Sequence, residues 1–156
     1  MSQYTSISSL LRSPVSEGQV SLRGWIYRTR SSGKIVFAVI RDSTGIIQVT
    51  IKKGNLPDDQ FQEAVSASIE SSVEVTGTMH QDGRAPGGYE VRASAYRVVG
   101  SALPFPITEY QSEELLLDNR HLWIRSREQT AVMKVKATLL AGAREWLAEN
   151  DFTEVT

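Results

Sequence analysis

The sequence contains no cysteine and only two histidines, and these scarcities exclude several kinds of site. Without cysteine the chain forms no disulfide and no thiolate metal site. His80 and His121 lie far apart and show no repeated ligand spacing. We therefore expect no bound metal in this chain, and the redox compartment stays undetermined.

The chain also lacks an excess of charge of one sign. Its 17 Lys and Arg residues are balanced by 18 Asp and Glu residues, which leaves a net charge of -1 at pH 7. So small a net charge does not indicate attraction of the whole molecule to nucleic acid. Any such binding must therefore be local.

Long hydrophobic runs are absent as well. No segment approaches the roughly 18 apolar residues of a membrane span, and residues 1–13 lack the basic and apolar regions of a signal peptide. We expect a soluble, cytoplasmic protein without a membrane partner. Its 156 residues, 40% of them hydrophobic, suffice for one globular domain, or for one domain plus a piece of another.

Five strand-like runs occupy the first two thirds of the chain, and one helical pattern interrupts them. The runs are 20–29, 34–42, 46–51, 73–79 and 89–99. The helix follows Pro57, after the third run, and its apolar face consists of Phe61, Ala64, Val65 and Ile69. The order of three strands, a helix and two strands is typical of the OB-fold, a five-stranded Greek-key barrel that binds oligonucleotides or sugars. Gly24 and Gly77 interrupt strands where a small barrel must bend, which supports this all-β fold with helices.

The chain is predicted to contain three parts. Residues 1–100 form the barrel, and residues 101–112 form an extended linker, because each proline there disfavours helix in the residue before it. Residues 113–156 begin a second, α+β domain with a long amphipathic helix, followed by a strand pattern at Phe152. No partner strand follows, so we expect this domain to be truncated.

Three cations lie near the turn between the first two predicted strands. Arg28 and Arg30 lie at the end of the first strand, and Lys34 begins the second. Such a cluster suits phosphates, because Arg offers a planar fork of donors and Lys a point charge. A solvated hairpin end explains the same residues, and both interpretations stay open.

Phe37 and Gln48 are candidates for contacts to an unpaired base. If the second and third strands pair through the turn at 42–45, both side chains can face the same side. An exposed ring stacks on a base for roughly 1–3 kcal/mol, and an amide offers donors and an acceptor to a base edge. The alternative places Phe37 in the core and Gln48 in solvent.

Glu90 lies at the start of the fifth predicted strand, one residue after a glycine pair and Tyr89, and the glycines allow a close approach to a nucleotide. Its two carboxylate oxygens match the N1–H and exocyclic amine of a guanine. An isolated glutamate at a strand end is otherwise simply exposed. The pattern alone does not decide between the two.

Four short segments carry a family resemblance. They are 30–37 (RSSGKIVF), 40–45 (IRDSTG), 86–90 (PGGYE) and 117–126 (LDNRHLWIRS). The first two resemble the anticodon-binding barrel of class II asparaginyl- and aspartyl-tRNA synthetases. The last resembles the asparaginyl branch, since the aspartyl branch usually has Asp in place of Trp123 and no Ser after the Arg. Residues 86–90 and 31–34 also resemble asparaginyl enzymes.

The resemblance implies a role for several candidates. Phe37 would stack on the middle anticodon base, Gln48 would recognise that base as uridine, and Glu90 would recognise the first-position guanine. Arg28 would lie among the anticodon contacts. The partner implied is the anticodon loop of tRNA(Asn), and the residue for the third base is not assigned.

The helix from Arg127 to Asn150 resembles class II motif 1, which builds the dimer interface of such enzymes. The dimer-interface candidates are Val132, Val135, Leu139 and Trp146. Asp151 stands where the family usually has Gly, which takes a left-handed conformation at no cost. Motifs 2 and 3, which hold ATP and the aminoacyl adenylate, are not present in the sequence.

We therefore predict the anticodon-binding part of an asparaginyl-tRNA synthetase. The full-length enzyme would be an asparagine-tRNA ligase of protein biosynthesis, a homodimer that activates asparagine with ATP and Mg²⁺. This chain itself is expected to contain no catalytic residue and no cofactor. The alternatives are an aspartyl or non-discriminating synthetase, a stand-alone single-stranded nucleic-acid-binding OB module, and an interaction domain whose barrel face packs against protein.

Overall fold

The computed structural model describes residues 4–14, 18–107 and 111–155. By its internal contacts the chain divides into two compact units, Met1–Phe105 and Pro106–Thr156. Part of the predicted linker, residues 108–110, lies outside the described residues.

In the residues that the structure describes, the first unit is a closed five-stranded barrel with two helices. Its elements are α1 (Ile7–Arg12), β1 (Gln19–Ser32), β2 (Ile35–Arg41), β3 (Ile46–Lys52), α2 (Asp58–Ser66), β4 (Ser72–Gln81), a short 3₁₀ turn (Pro86–Gly88) and β5 (Tyr89–Gly100). The strands neighbour each other in the order β1-β2-β3-β5-β4 and close back onto β1. All pairs are antiparallel except β3 with β5, which is parallel. The predicted barrel, with its helix between the third and fourth strands, is therefore present.

Alternating apolar residues fill the interior of the barrel, as the period of two along each strand requires. In β2 the side chains of Val36, Ala38 and Ile40 are buried, and in β3 those of Ile47 and Val49 are. Phe61 and Ala64 of α2 add to this core, as predicted. Two other members of the predicted helix face differ, because Val65 is exposed and Ile69 follows the end of the helix.

The first hairpin is longer than predicted. Ser32 pairs with Ile35, so only Gly33 and Lys34 form the turn. Gly33 has φ 61°, the left-handed conformation that two-residue hairpin turns require and that Gly adopts without a steric penalty. Arg28 and Arg30 therefore lie inside β1 and not at its end.

Helix α1 was not predicted, and it contributes two side chains to the core. Ile7 and Leu10 are both buried there. Ser6 caps the helix by accepting a hydrogen bond from the Ser9 N–H. The helix has six residues, fewer than the roughly 11–18 over which a helical period can be recognised in a sequence.

The second unit is helical. It contains α3 (Glu113–Asp118), α4 (Arg120–Trp123) and α5 (Arg127–Glu149). Helix α5 begins at the cap residue Ser126, whose hydroxyl accepts from the Gln129 N–H at 3.2 Å.

The strand predicted at Phe152 is wrong for the residues that the structure describes. Residues 152–155 carry no strand pairing, and a strand is stabilised by ladder bonds to a neighbour. Instead, the Phe152 N–H donates to the Leu147 carbonyl at 3.0 Å and the Asp151 N–H to that of Ala148 at 3.3 Å. With Asp151 at φ 62°, these bonds form the Schellman cap that ends α5.

Candidate nucleic-acid interface

Side chains from four strands line one outer face of the barrel. The ladder pairs that define this outer face are Arg28 with Val39, Arg30 with Phe37, Val39 with Gln48, Phe37 with Thr50, Gln48 with Glu90, and Thr50 with Arg92. Directly paired residues point to the same side of a sheet, with Cβ atoms about 5 Å apart. Every predicted contact residue except Lys34 therefore lies on one continuous surface, and Lys34 lies in the turn at its edge.

An irregularity in β1 places the two arginines on the outer face. The register between β1 and β2 shifts between Ile26 and Arg28, which is the mark of a β-bulge. Before the bulge the even-numbered residues Leu22 and Ile26 face the core. The extra residue reverses the alternation, so the even-numbered Arg28 and Arg30 face outward. The change is visible in the sequence, where even-numbered positions pass from apolar residues to arginines, but it was interpreted as the end of the strand and not as a bulge.

The ring of Phe37 is partly exposed on the outer face, while its neighbours Val36 and Ala38 fill the core. The guanidinium carbon of Arg30 lies 4.7 Å from the centroid of the Phe37 ring. This is a cation–π contact, of the kind that contributes about 0.5–1 kcal/mol at exposed sites. The pair presents an aromatic surface and a positive charge at the same place, which suits a base and its phosphate.

Glu90 is neither isolated nor exposed. Only 5% of the residue is accessible, and its carboxylate accepts three side-chain hydrogen bonds. The donors are the Thr50 hydroxyl at 2.6 Å, the Arg92 Nε at 3.0 Å and the Gln48 amide at 3.2 Å. We call these four residues, Gln48, Thr50, Glu90 and Arg92, the carboxylate cluster.

The carboxylate cluster keeps Glu90 ionised. Burial by itself raises the pKa of a carboxyl group, but the hydrogen bonds from Thr50, Arg92 and Gln48 and the charge of Arg92 outweigh it and hold the pKa of Glu90 below its usual value. At neutral pH the group is therefore a pure acceptor with two oxygens. That is the form that can accept two parallel donors from a base edge.

Two members of the carboxylate cluster, Thr50 and Arg92, were not among the predicted contact residues. Each lies two positions after a residue that was, since Thr50 follows Gln48 and Arg92 follows Glu90. The period of two in a strand puts such neighbours on the same face. That signal was available in the sequence.

The described residues contain neither a cluster of metal ligands nor a membrane-spanning helix. Among residues 4–14, 18–107 and 111–155, no group of three or more His, Asp or Glu side chains lies close enough together to hold a metal ion. Within the same residues, no helix has the length and apolar character needed to cross a membrane.

The dimer-interface candidates all lie on α5 in the second unit. Val132, Val135, Leu139 and Trp146 are exposed in the single chain, and their spacing of three, four and seven places them along one side of the helix. They form an apolar stripe on the surface of the chain as it stands.

Comparison with known proteins defines the class of this barrel. A family model described as an OB-fold nucleic acid binding domain matches residues 20–99, which is just over half of the chain. The chain belongs to this family. The predicted OB-fold is thereby confirmed.

The particular relatives are synthetases. The chain is 50% identical over 137 residues to an asparagine–tRNA ligase of Thermoplasma acidophilum, covering 88% of this chain and 32% of that protein. It is 48% identical to one of Thermococcus kodakarensis, covering 91% and 33%. These matches confirm the resemblance to asparaginyl-tRNA synthetases, and the chain spans about a third of the length of these curated relatives.

Solved structures give the same picture of the fold. Asparaginyl-tRNA synthetase from Pyrococcus horikoshii, complexed with asparaginyl-adenylate, superposes with a TM-score of 0.87 at 41% identity, covering 100% of this chain and 36% of that one. Aspartyl tRNA synthetase from Entamoeba histolytica superposes with a TM-score of 0.86 at 22% identity, covering 99% and 39%. The second likeness concerns the fold alone.

Proposed function

We propose that this chain is the anticodon-binding part of an asparaginyl-tRNA synthetase and that its outer face binds the anticodon loop of tRNA(Asn). The observation that carries the proposal is the alignment of Arg30, Phe37, Gln48 and Glu90 in adjacent ladder pairs on one face. A ring, an amide and a carboxylate side by side offer stacking and two kinds of edge recognition. The identity of the RNA is inferred from the relatives, which are named as asparagine–tRNA ligases.

Each side chain has a separate task in this proposal. Phe37 stacks on the middle base, Gln48 recognises that base as uridine, and Glu90 accepts the two donors of the neighbouring guanine. Arg28, Arg30 and Lys34 contact phosphates and so position the loop, as cations do in most nucleic-acid interfaces. Recognition is thus divided between base edges in the middle of the face and phosphates at its rim.

The chemistry is proposed for the full-length protein. The relatives are ligases about three times as long as the stretch that matches, and we assign the sites for asparagine, ATP and Mg²⁺ to that further length. The barrel then acts through binding energy, because a correctly bound anticodon holds the tRNA in the orientation that transfer needs. Charging assays of the full-length enzyme with asparagine and with aspartate distinguish the asparaginyl enzyme from an aspartyl or non-discriminating one.

We further propose that the apolar stripe on α5 is covered by a second copy of the chain in the full-length enzyme. Four large apolar side chains exposed along one helix side favour burial against another surface. Leu139→Glu in the full-length enzyme should shift sedimentation from dimer to monomer. A dimer of unchanged stability would contradict this assignment.

Binding of anticodon stem-loops tests the main proposal. A loop with the asparagine anticodon should bind more tightly than loops in which either the guanine or the middle uridine is changed. Gln48→Ala should relax discrimination at the uridine, and Glu90→Ala should relax it at the guanine. Equal affinity of the wild-type chain for all loops would instead support a single-stranded nucleic-acid-binding module without base recognition.

A further inference from the structure

The carboxylate of Glu90 has an uneven distribution of hydrogen bonds. Oε2 accepts from both the Thr50 hydroxyl, at 2.6 Å, and the Gln48 amide, at 3.2 Å. Oε1 accepts from Arg92 Nε at 3.0 Å. A carboxylate oxygen offers about two lone-pair positions, so Oε2 is fully occupied while Oε1 has room for one more donor.

A guanine needs both oxygens at once. Its N1–H and its exocyclic amine are parallel donors, and each must find a free lone pair on a different oxygen of the carboxylate. Oε2 provides one only after Thr50 or Gln48 withdraws. The Thr50 bond is the shorter and comes from a short, β-branched side chain with little freedom, whereas Gln48 has a longer side chain and the longer bond.

We propose that the hydrogen bond between Gln48 and Glu90 couples the recognition of two neighbouring bases. Breaking it once releases both groups, so that Glu90 accepts the guanine while Gln48 turns to the uridine. Thr50 and Arg92 remain as positioning residues that hold the carboxylate in place. This inference rests on the proposed function and adds that the two bases are recognised cooperatively.

The coupling is positive, because the loss of one hydrogen bond is shared by two recognition contacts. When both bases are present, one hydrogen bond is lost and two recognition contacts are gained. When only one is present, the same bond is lost for a single contact, and when neither is present the bond stays intact. A hydrogen bond to a charged group corresponds to about a tenfold factor in affinity or somewhat more, which sets the expected size of the coupling.

Four anticodon stem-loops measure this coupling, combining guanine or adenine at the first position with uridine or cytidine at the middle position. With the wild-type chain, replacing guanine by adenine should weaken binding about tenfold more when the uridine is present than when cytidine replaces it. Isothermal titration or fluorescence anisotropy gives the four dissociation constants.

The decisive variant is Gln48→Ala. It removes the bond that must otherwise be broken, so it should bind the guanine–cytidine loop about tenfold more tightly than the wild-type chain does, and its guanine preference should be the same beside either base. A role for Gln48 in structure alone does not predict tighter binding. Gln48→Leu, which keeps more of the side-chain volume, should behave in the same way.

Gln62→Ala is the matched control, since Gln62 is exposed on α2 and should leave the coupling at its wild-type value. Equal losses for guanine in both contexts with the wild-type chain, or weaker binding of the guanine–cytidine loop by both Gln48 variants, would overturn the coupling while leaving the proposed function intact. Absence of base discrimination by the wild-type chain would overturn the proposed function, and this inference with it.

Discussion

At the scale of single residues, the side chains of the outer face hold one another in place without a ligand. Arg30 lies over the Phe37 ring, and Glu90 is held by three donors. Such contacts limit the rotamers that each side chain explores, so less conformational entropy is lost when RNA binds. These contacts also oppose binding in one respect, because Arg30 must move if a base stacks on the side of the Phe37 ring that it covers.

Replacing Phe37 tests the stacking contact. Phe37→Ala should weaken binding of the anticodon stem-loop by roughly 1–3 kcal/mol, because base–aromatic stacking contributes that much. Titration by fluorescence anisotropy provides the measurement. Phe152→Ala, at an aromatic residue that is 62% exposed outside the barrel, is the matched control and should bind like the wild type. Unchanged affinity in a folded Phe37→Ala chain would remove stacking from the proposal.

Asp42 links the turn after β2 to helix α1. Its carboxylate accepts from the Ile7 N–H at 2.8 Å and from the N–H groups of Thr44, at 2.7 Å, and Gly45, at 2.9 Å. Burial alone would raise the pKa of Asp42, but these hydrogen bonds and one from the Thr44 hydroxyl at 2.7 Å hold it below its ordinary value of 3.8. The stability that they confer is therefore fully present above about pH 4 and is lost as the pH falls through the lower folded-state pKa.

Asp42→Asn should therefore lower the free energy of unfolding by about 1–3 kcal/mol at pH 7, because the amide replaces a charged acceptor of several hydrogen bonds. The difference from the wild type should be smaller at pH 3 than at pH 7, because Asp42 of the unfolded chain is largely protonated at pH 3 and the folded state loses part of the advantage of its ionised carboxylate. Urea unfolding at the two pH values measures both quantities. A difference that stays constant with pH would show that ionisation of Asp42 is not the cause.

At the scale of elements, the strands were predictable because their burial on one face imposes a period of two. Helix α1 was missed because six residues are too few for a helical period to be recognised, and the bulge in β1 was missed because a change of phase in a strand pattern equally indicates that the strand ends there. The strand at Phe152 was wrong because local pattern cannot supply a ladder partner. In each case the missing information lies in tertiary contacts.

The residues of the candidate site were predictable from the sequence, but the contacts between them were not. Phe37, Gln48 and Glu90 were identified as candidates from residue chemistry and family resemblance, and the structure places them together. Their mutual contacts were not predictable, because β3 and β5 are brought side by side only by the closure of the barrel. The main consequence of this closure that the sequence did not predict is the burial of Glu90.

Gly77 tests the close approach of two strands. A Cβ at this position would lie 2.2 Å from the carbonyl oxygen of Arg92. That oxygen belongs to the backbone of β5, which cannot move aside as a flexible side chain would. Gly77→Ala should therefore destabilise the barrel by about 3 kcal/mol, at the upper end of overpacking effects. Gly83→Ala is the control, since a Cβ there meets nothing within 4 Å. Similar thermal midpoints for the two variants would contradict the steric argument.

At the scale of the whole molecule, the net charge of -1 makes RNA binding depend on a local group of cations. If Arg28, Arg30 and Lys34 each contact one phosphate, the logarithm of the association constant should fall against the logarithm of salt concentration with a slope of about -2, because each contact to a single strand contributes about -0.7. Lys34→Ala should make the slope shallower by about 0.7. A slope near zero would show that phosphates contribute little.

The parallel pairing of β3 with β5 has a consequence for folding as well as for recognition. This seam joins residues 42 positions apart in the chain, and the same pairing brings the Gln48 amide to the Glu90 carboxylate. A barrel that has opened along the seam separates these two groups. A ligand that binds only the closed form stabilises closure by mass action, so affinity for the anticodon loop also reports whether the barrel is completely folded.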